Sequence, residues 1–472
     1  MSALKIGLAN AYFYPLDKKQ WANHTPYPPL GTIWAVAHMR ELGYDIALFD
    51  TNLRSEVSEL DGFLEKEQPD FFIIYDDGFN YLTKMCLTTM REKAFDMISM
   101  ARKKGVQVIV NSSDSTDHYE QYLAAGAHAV ILGEGEKTLE ELIKQRGELL
   151  SEVNGIAFLK DGKPVKTAKR PVLRDLDSLP QPAWDLVDVA AYRTIWKHSK
   201  YPFTLNIATT RGCPFKCNWC AKPIYGNRYN SRSPQRVVEE IKHLSQAYGV
   251  THFWMCDDIF GLKPGWVKEF NQLLKKENLS IRYKIQSRVD LLLEDNTIQE
   301  LAESGLDEVW LGAESGSQKI LDAMDKGIHV QQIEQATAAL KKFGVKVCFF
   351  IQFGYLGETK EDILQTIAMI KRLKPYDIGV SVSYPLPETK FYDKVAEQFQ
   401  GKTNWVDSDE LAMMFQGTFN SSYYKDLHRY VHRVFRVSQA MSTLSFGRLL
   451  KLPYQLLLLV YFRTRMAFKV NQ

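Results

Sequence analysis

Two stretches of this chain alternate short apolar, β-branched runs with amphipathic helical patterns, and that rhythm leaves few folds open. In the first, strands are predicted at 4–9, 45–50, 71–76, 106–111 and 127–133, with helices near 29–43, 56–67, 82–104, 117–125 and 136–145. In the second, strands are predicted at 204–210, 252–257, 282–288, 308–315, 346–354 and 377–384, again with helices between them. A strand that returns to its sheet through a helix runs parallel to its neighbour, and parallel sheets need cover on both faces.

The predicted fold class is therefore α/β. Residues 1–150 read as a Rossmann-like, doubly wound parallel sheet, and 204–400 as a partial (β/α)6 barrel of the TIM type, with a second open sheet as the alternative. Between them, 151–203 breaks the rhythm: Asp161-Gly162 supplies a hairpin turn within 155–167, and Pro180, Pro182 and Pro202 mark a linker. Residues 401–472 form a helical, basic extension. In both kinds of sheet, ligands sit beyond the carboxyl ends of the strands, so the loops there are where chemistry is sought.

One of those loops reads Arg211-Gly-Cys213-Pro-Phe-Lys-Cys217-Asn-Trp-Cys220. A structural zinc site closes with four ligands, and this loop offers three; His198 is a possible fourth but lies in the linker without a characteristic spacing. Buried structural cysteines do not cluster at this density in a loop rich in Gly, Pro and Lys. A [4Fe–4S] cluster usually takes four cysteines, so three leave one iron open to a bidentate amino acid. The other cysteines, Cys86, Cys256 and Cys348, fall in a predicted helix and two strands and read as small buried hydrophobes.

A C-x3-C-x2-C loop with an aromatic before its last Cys, placed after strand one of a six-unit βα barrel, resembles the radical S-adenosylmethionine (radical SAM) superfamily over about 200–400. The resemblance implies that Cys213, Cys217 and Cys220 hold a [4Fe–4S] cluster. Its open iron would bind the amino and carboxylate groups of S-adenosylmethionine, and one-electron reduction, by a donor such as flavodoxin or ferredoxin, would release a 5′-deoxyadenosyl radical. It also implies that Trp219 packs near the adenine and that Asp257, Ser287, Arg288 and Glu314 hold the remaining parts of S-adenosylmethionine. Read from the residues alone, Asp257 is equally a helix cap, and Glu314 with Arg288 an ion pair. Phe353-Gly-Tyr-Leu-Gly-Glu-Thr359 and Tyr384-Pro-Leu-Pro-Glu-Thr389 resemble the family's late segments but depart from them at Tyr355, Leu356 and Glu388.

With the Rossmann-like unit ahead of it, and Tyr27-Pro-Pro-Leu-Gly31 and Gly133-Glu-Gly-Glu136 in its loops, the chain is similar to the cobalamin-binding members of that superfamily over about 1–400. The resemblance implies corrin contacts from loops carrying Tyr12, Asp76, Asp77, Ser113, Gly133 and Glu134. The Asp-x-His-x-x-Gly segment that supplies a cobalt-ligating histidine elsewhere is missing, and His118 reads as the start of a helix. No G-x-G-x-x-G follows the first strand, which disfavours a nicotinamide dinucleotide.

The leading expectation is cobalamin-dependent methylation of an unactivated carbon on a small-molecule or lipid-like substrate. The rivals are an oxidative or cyclising reaction of the anaerobic magnesium-protoporphyrin ester cyclase type and a non-catalytic cobalamin or cluster sensor. A methylthiotransferase is disfavoured because a second cysteine-rich site is absent.

The formal charge of +3 over 472 residues divides unevenly. Residues 421–472 carry nine Lys/Arg and one acid, Asp426, whereas the rest hold 50 bases and 55 acids. An acidic body argues against nucleic acid as a partner, since counterion release needs a basic surface. The tail has a basic amphipathic helix followed by Pro453–Phe462, flanked by Lys451 and Arg463. It reads either as a cap packed on the barrel or as a peripheral contact with an anionic membrane. Its apolar run, Leu452–Phe462, is too short to span a bilayer. Met1–Tyr14 lacks the pattern of a signal peptide, and six cysteines in so long a chain suggest a reducing compartment, so the expected location is cytoplasmic.

Overall fold

The computed structural model describes residues 4–399, 401–443 and 452–469. Lys451 lies outside them. The first sheet contains β1 (Lys5–Ala9), β2 (Asp45–Phe49), β3 (Phe71–Tyr75), β4 (Gln107–Asn111) and β5 (Ala129–Ile131), all parallel, in the order 2-1-3-4-5. Helices cover both faces, so β3 is buried along its whole length. In this order the chain reverses direction across the sheet between β1 and β3, the position where doubly wound sheets open a ligand crevice.

The hairpin expected between the two units extends this sheet. Strands β6 (Ile156–Lys160) and β7 (Lys163–Lys166) add to β5 in antiparallel fashion, and Asp161 and Gly162 both take positive φ at the turn (52° and 75°). Residues 176–203 form a strap packed between the sheets. Trp34 donates to the carbonyl of Pro180, Tyr192 donates to Asp50 at 2.6 Å, Trp184 to Glu240 and Trp196 to the carbonyl of Pro26.

The second sheet is a partial barrel of six parallel strands in chain order: β8 (Leu205–Ile207), β11 (His252–Met255), β12 (Arg282–Ser287), β13 (Leu306–Glu314), β14 (Lys346–Phe353) and β15 (Asp377–Val382). A two-stranded antiparallel ribbon, β9 (Thr210–Arg211) and β10 (Asn230–Ser231), closes the base of the cysteine loop. Ser233 caps the helix that follows, with Pro234 at its first position, as the sequence predicts.

One predicted helix is interrupted. Instead of running through 82–104, the chain forms a short helix Tyr81–Lys84, turns at Cys86 (φ 53°), and resumes as Thr88–Lys103. The break is held from outside: the Tyr384 hydroxyl donates to the Met85 carbonyl, and Thr88 N donates to the Trp405 carbonyl. Cys86 therefore belongs to a turn between the two sheets rather than to a helix core, although it is buried. Cys256 and Cys348 are buried, as expected.

Candidate functional site

The cysteine loop leaves the carboxyl end of β8 and is fastened at both ends and in the middle. Gly212 (φ 78°) starts it, and a Cβ there would meet the Arg228 carbonyl at 2.4 Å, so only glycine fits. Lys222 closes it by donating to the Phe215 carbonyl at 2.9 Å. Asn218, between the second and third cysteines, donates to the Ala323 carbonyl and accepts from the Tyr355 hydroxyl at 2.7 Å. The departure at Tyr355 thus serves as a post for the loop, stacked on Phe391.

Cys213, Cys217 and Cys220 are free thiols, each partly accessible. Burial pushes the Cys213 thiol up and the Cys220 thiol to about 11. Three cations from three different elements surround them, each with its own carboxylate: Lys84 with Asp258 at 2.5 Å, Arg288 with Asp290 at 2.9 Å and Lys326 with Glu314 at 2.8 Å. Arg288 sits over the Phe215 ring, 3.8 Å from its centroid, and points Nη1 at Cys217 Sγ, 3.9 Å away. Burial works against the charges on Lys84 and Lys326, but their carboxylates and the nearby cysteines hold both amines above the ordinary lysine range. This setting suits a group that turns three thiols into thiolates and carries net negative charge, as an iron–sulfur cluster does.

The expected S-adenosylmethionine residues separate into two sets. Trp219, Ser287, Arg288 and Glu314 line the same end of the barrel, and two of them carry buried polar atoms without a hydrogen-bond partner, Trp219 Nε1 and Ser287 Oγ. Both atoms are left available to a polar ligand at this end of the barrel. Gly312 leaves room for the Lys326–Glu314 pair, since a Cβ there would come within 2.6 Å of Lys326 Nζ and displace it. The alternative reading of Glu314 and Arg288 as an ion pair does not hold: Glu314 pairs with Lys326 and Arg288 with Asp290.

Asp257, the other expected contact, is engaged within the protein. Its carboxylate accepts from Thr209 N, Thr209 Oγ1 and Thr210 N at 2.5–2.8 Å, and burial raises it to about 7 against those bonds. It braces the strand end that launches the cysteine loop, and Asp258, with Lys84, takes the place beside the cysteines. Sequence reasoning missed Lys84 and Lys326; Asp258 stood beside Asp257 in a strand-end segment that the sequence singled out.

At the first sheet, Tyr12 and Asp77 from the β1/β3 switch point and Asn52 from the turn after β2 share a cavity of about 110 Å³ with Asn206, Trp254 and Cys256 of the barrel. Tyr12 is oriented by a hydrogen bond to Asp17. Asn206 Oδ1 and Ser113 Oγ are buried without partners. Asp77 caps the helix Leu30–Glu41 through Gly31 N at 3.0 Å, and Asp76 accepts from Ala11 N. Burial raises these two carboxyls to about 6 and about 7. Gly133 holds φ at 84°, and its carbonyl accepts from Asn111.

Glu134, expected at the corrin, accepts from Arg211, which also donates to Glu136, both at 2.6 Å. His118 stands at the start of the helix Tyr119–Ala124, as predicted. It lies close to Cys86 and Asp114, but the Asp114 carboxylate is already filled by Arg91 and Tyr122.

Residues 207–370 match the model of the radical SAM superfamily. The chain carries a radical SAM domain. It is similar to an uncharacterised methyltransferase of Pyrococcus horikoshii, 28% identical over 391 residues that span 81% of each chain. It is also similar to the anaerobic magnesium-protoporphyrin IX monomethyl ester cyclase of Rubrivivax gelatinosus, 26% identical over 79% of this chain and 67% of the cyclase. Among solved structures it resembles the radical S-adenosylmethionine methyltransferase TsrM of Kitasatospora setae with cobalamin and a [4Fe–4S] cluster bound, with a TM-score of 0.69 at 18% identity over 84% of this chain and 78% of that one. The likeness to TsrM extends the shared fold beyond the radical SAM domain into the Rossmann-like unit. A radical SAM domain with relatives named as methyltransferases and a cyclase makes this chain a radical SAM enzyme.

Proposed function

We propose that this enzyme holds a [4Fe–4S] cluster on Cys213, Cys217 and Cys220 and methylates an unactivated carbon with the help of cobalamin. The observation that carries the two-unit reading is the shared cavity, in which the switch point of the first sheet and the strand ends of the barrel line one space. The cluster, when bound, supplies the one-electron reduction that cleaves S-adenosylmethionine to methionine and a 5′-deoxyadenosyl radical; cobalamin supplies the methyl group. The protein's own part is positional. Lys84, Arg288 and Lys326 balance the charge of the thiolates, while Trp219 Nε1 and Ser287 Oγ offer polar contacts to S-adenosylmethionine.

The donors at the switch point suit a polar ligand, but about 110 Å³ is well below the roughly 300–1,000 Å³ of a pocket for a drug-sized ligand. Admission of a corrin therefore requires residues 79–82, which form one wall, to move outwards. A reductant such as flavodoxin or ferredoxin in a cytoplasmic setting would supply the electron.

Similarity to the cyclase keeps one rival in view, an oxidative or cyclising outcome on the same radical. Anaerobic reconstitution with iron, sulfide and hydroxocobalamin, followed by S-adenosylmethionine under reducing conditions, separates the two. Methyl transfer predicts S-adenosylhomocysteine and methylcobalamin alongside 5′-deoxyadenosine. Production of 5′-deoxyadenosine with no S-adenosylhomocysteine would favour the rival.

A further inference from the structure

The helix Ser421–Thr443 packs on the barrel through Tyr423, Tyr424, Leu427, Val431, Val434 and Phe435, all buried. The helix Leu452–Lys469 lies on top of it and turns Phe462 and Met466 inward. Its outer face is apolar as well. Tyr454 (60% exposed), Leu457 (70%), Val460 (66%) and Tyr461 (51%) stand at helical spacing, with Leu456 beside them. Scattered exposed apolar residues are ordinary, but five large ones on one face of one helix form a contiguous patch that signals a partner.

The charge around this patch identifies the partner. Asp426, the only acid of 421–472, is already shared by Arg429, Arg465 and Lys469. Arg433, next to Tyr454, bonds to the uncharged Gln455. Arg436 and Arg463 are exposed and have no acidic partner among the described residues. Burial, with the neighbouring imidazole and the nearby Lys19, Arg429, Arg433 and Arg436 adding to it, depresses His428 to about 4 and His432 to about 3.

We propose that this face is a peripheral docking surface for an anionic lipid bilayer. Leucine and valine enter the acyl boundary, the two tyrosines sit at the headgroup level, and the arginines reach the lipid phosphates. A second copy of the chain would bring the same cation excess to the same strip, because a two-fold contact places each patch against itself. No helix of the described residues is long and apolar enough to cross a membrane, so the contact lies in the interface plane. Nothing in this surface depends on the cluster, and vesicle binding and radical chemistry can fail separately.

The test is co-sedimentation of the full chain with vesicles of phosphatidylcholine alone and of phosphatidylcholine mixed with phosphatidylglycerol, at low and high salt. The expected result is binding to the mixed vesicles only, weakened by salt. It should fall by at least about tenfold in L457D/V460D and in R436E/R463E. These positions are exposed, so both variants should retain wild-type circular dichroism and bind iron normally. Undiminished binding of either double variant to mixed vesicles would overturn the proposal, as would equal binding of the wild type to phosphatidylcholine alone. A wild-type dimer in sedimentation equilibrium that L457D/V460D dissolves would assign the patch to a second copy and overturn it too.

Discussion

Arg211 donates to Glu136 across 2.6 Å, joining the loop that carries the cysteines to the loop after the last parallel strand of the first sheet. The guanidinium is 1% exposed, donates equally to Glu134, and is stacked against Trp34 and Tyr225. Burial opposes its charge, and the two carboxylates hold it firmly protonated. The two sheets are thereby locked in one register at the point where the cysteine loop begins.

Removing that cation leaves two buried carboxylates without their counter-charge, Glu134 keeping only its bond from Leu173 N. Breaking a buried pair in this way costs about 3–5 kcal/mol. Arg211→Met should lower the denaturant midpoint accordingly, read by tryptophan fluorescence. A loss under about 1 kcal/mol would show that the clamp contributes little.

Tyr355 offers a finer test of the cysteine loop. Tyr355→Phe deletes the 2.7 Å bond to Asn218 Oδ1 and leaves that buried oxygen without its hydroxyl donor. The expected cost is about 1–3 kcal/mol, with iron lost faster to a chelator than from the wild type. Unchanged iron retention would mean that the loop is held adequately by its other bonds.

Glu358 makes stability depend on pH. It is fully buried at the carboxyl end of β14, accepts from Gly354 N, and burial pushes it to about 8. A carboxyl raised in the folded state favours folding while protonated. Its contribution is complete below the unfolded value and is lost as pH rises through about 8. Glu358→Gln should therefore match the wild type in thermal unfolding near pH 5 and exceed it near pH 9. Parallel profiles for the two proteins would refute this role.

Hydrogen exchange reports on corrin entry. Adding hydroxocobalamin to the full chain should change exchange in 79–82, the wall between the switch point and the barrel, while leaving β12–β15 unaffected. No change there would place the cofactor elsewhere.

Both sheets were legible because strand and helix periods differ sharply, and all eleven predicted parallel strands are present with ends shifted by a few residues. The break at Cys86 was not legible: its positive φ is held by Tyr384 and Trp405, some 300 residues away in the chain. The cysteine loop stood out because its chemistry sits in eight consecutive residues. Lys84 and Lys326 reach that loop from segments with no motif of their own, and only the fold brings them there. The protein partners of Asp257 and Glu134 were not legible for a related reason. A carboxylate at a strand end faces a ligand or a neighbouring loop, and the choice depends on which donors the tertiary structure supplies, here Thr209, Thr210 and Arg211.

The central claim is that Cys213, Cys217 and Cys220 hold the cluster that cleaves S-adenosylmethionine. The direct measurement is anaerobic reconstitution of the wild type and of C213A/C217A/C220A, with iron and sulfide determined and 5′-deoxyadenosine measured after reduction. The wild type should bind one [4Fe–4S] cluster and form 5′-deoxyadenosine, and the triple variant should do neither. A normal cluster spectrum in the triple variant, or a reduced, iron-replete wild type that leaves S-adenosylmethionine intact, would contradict the account.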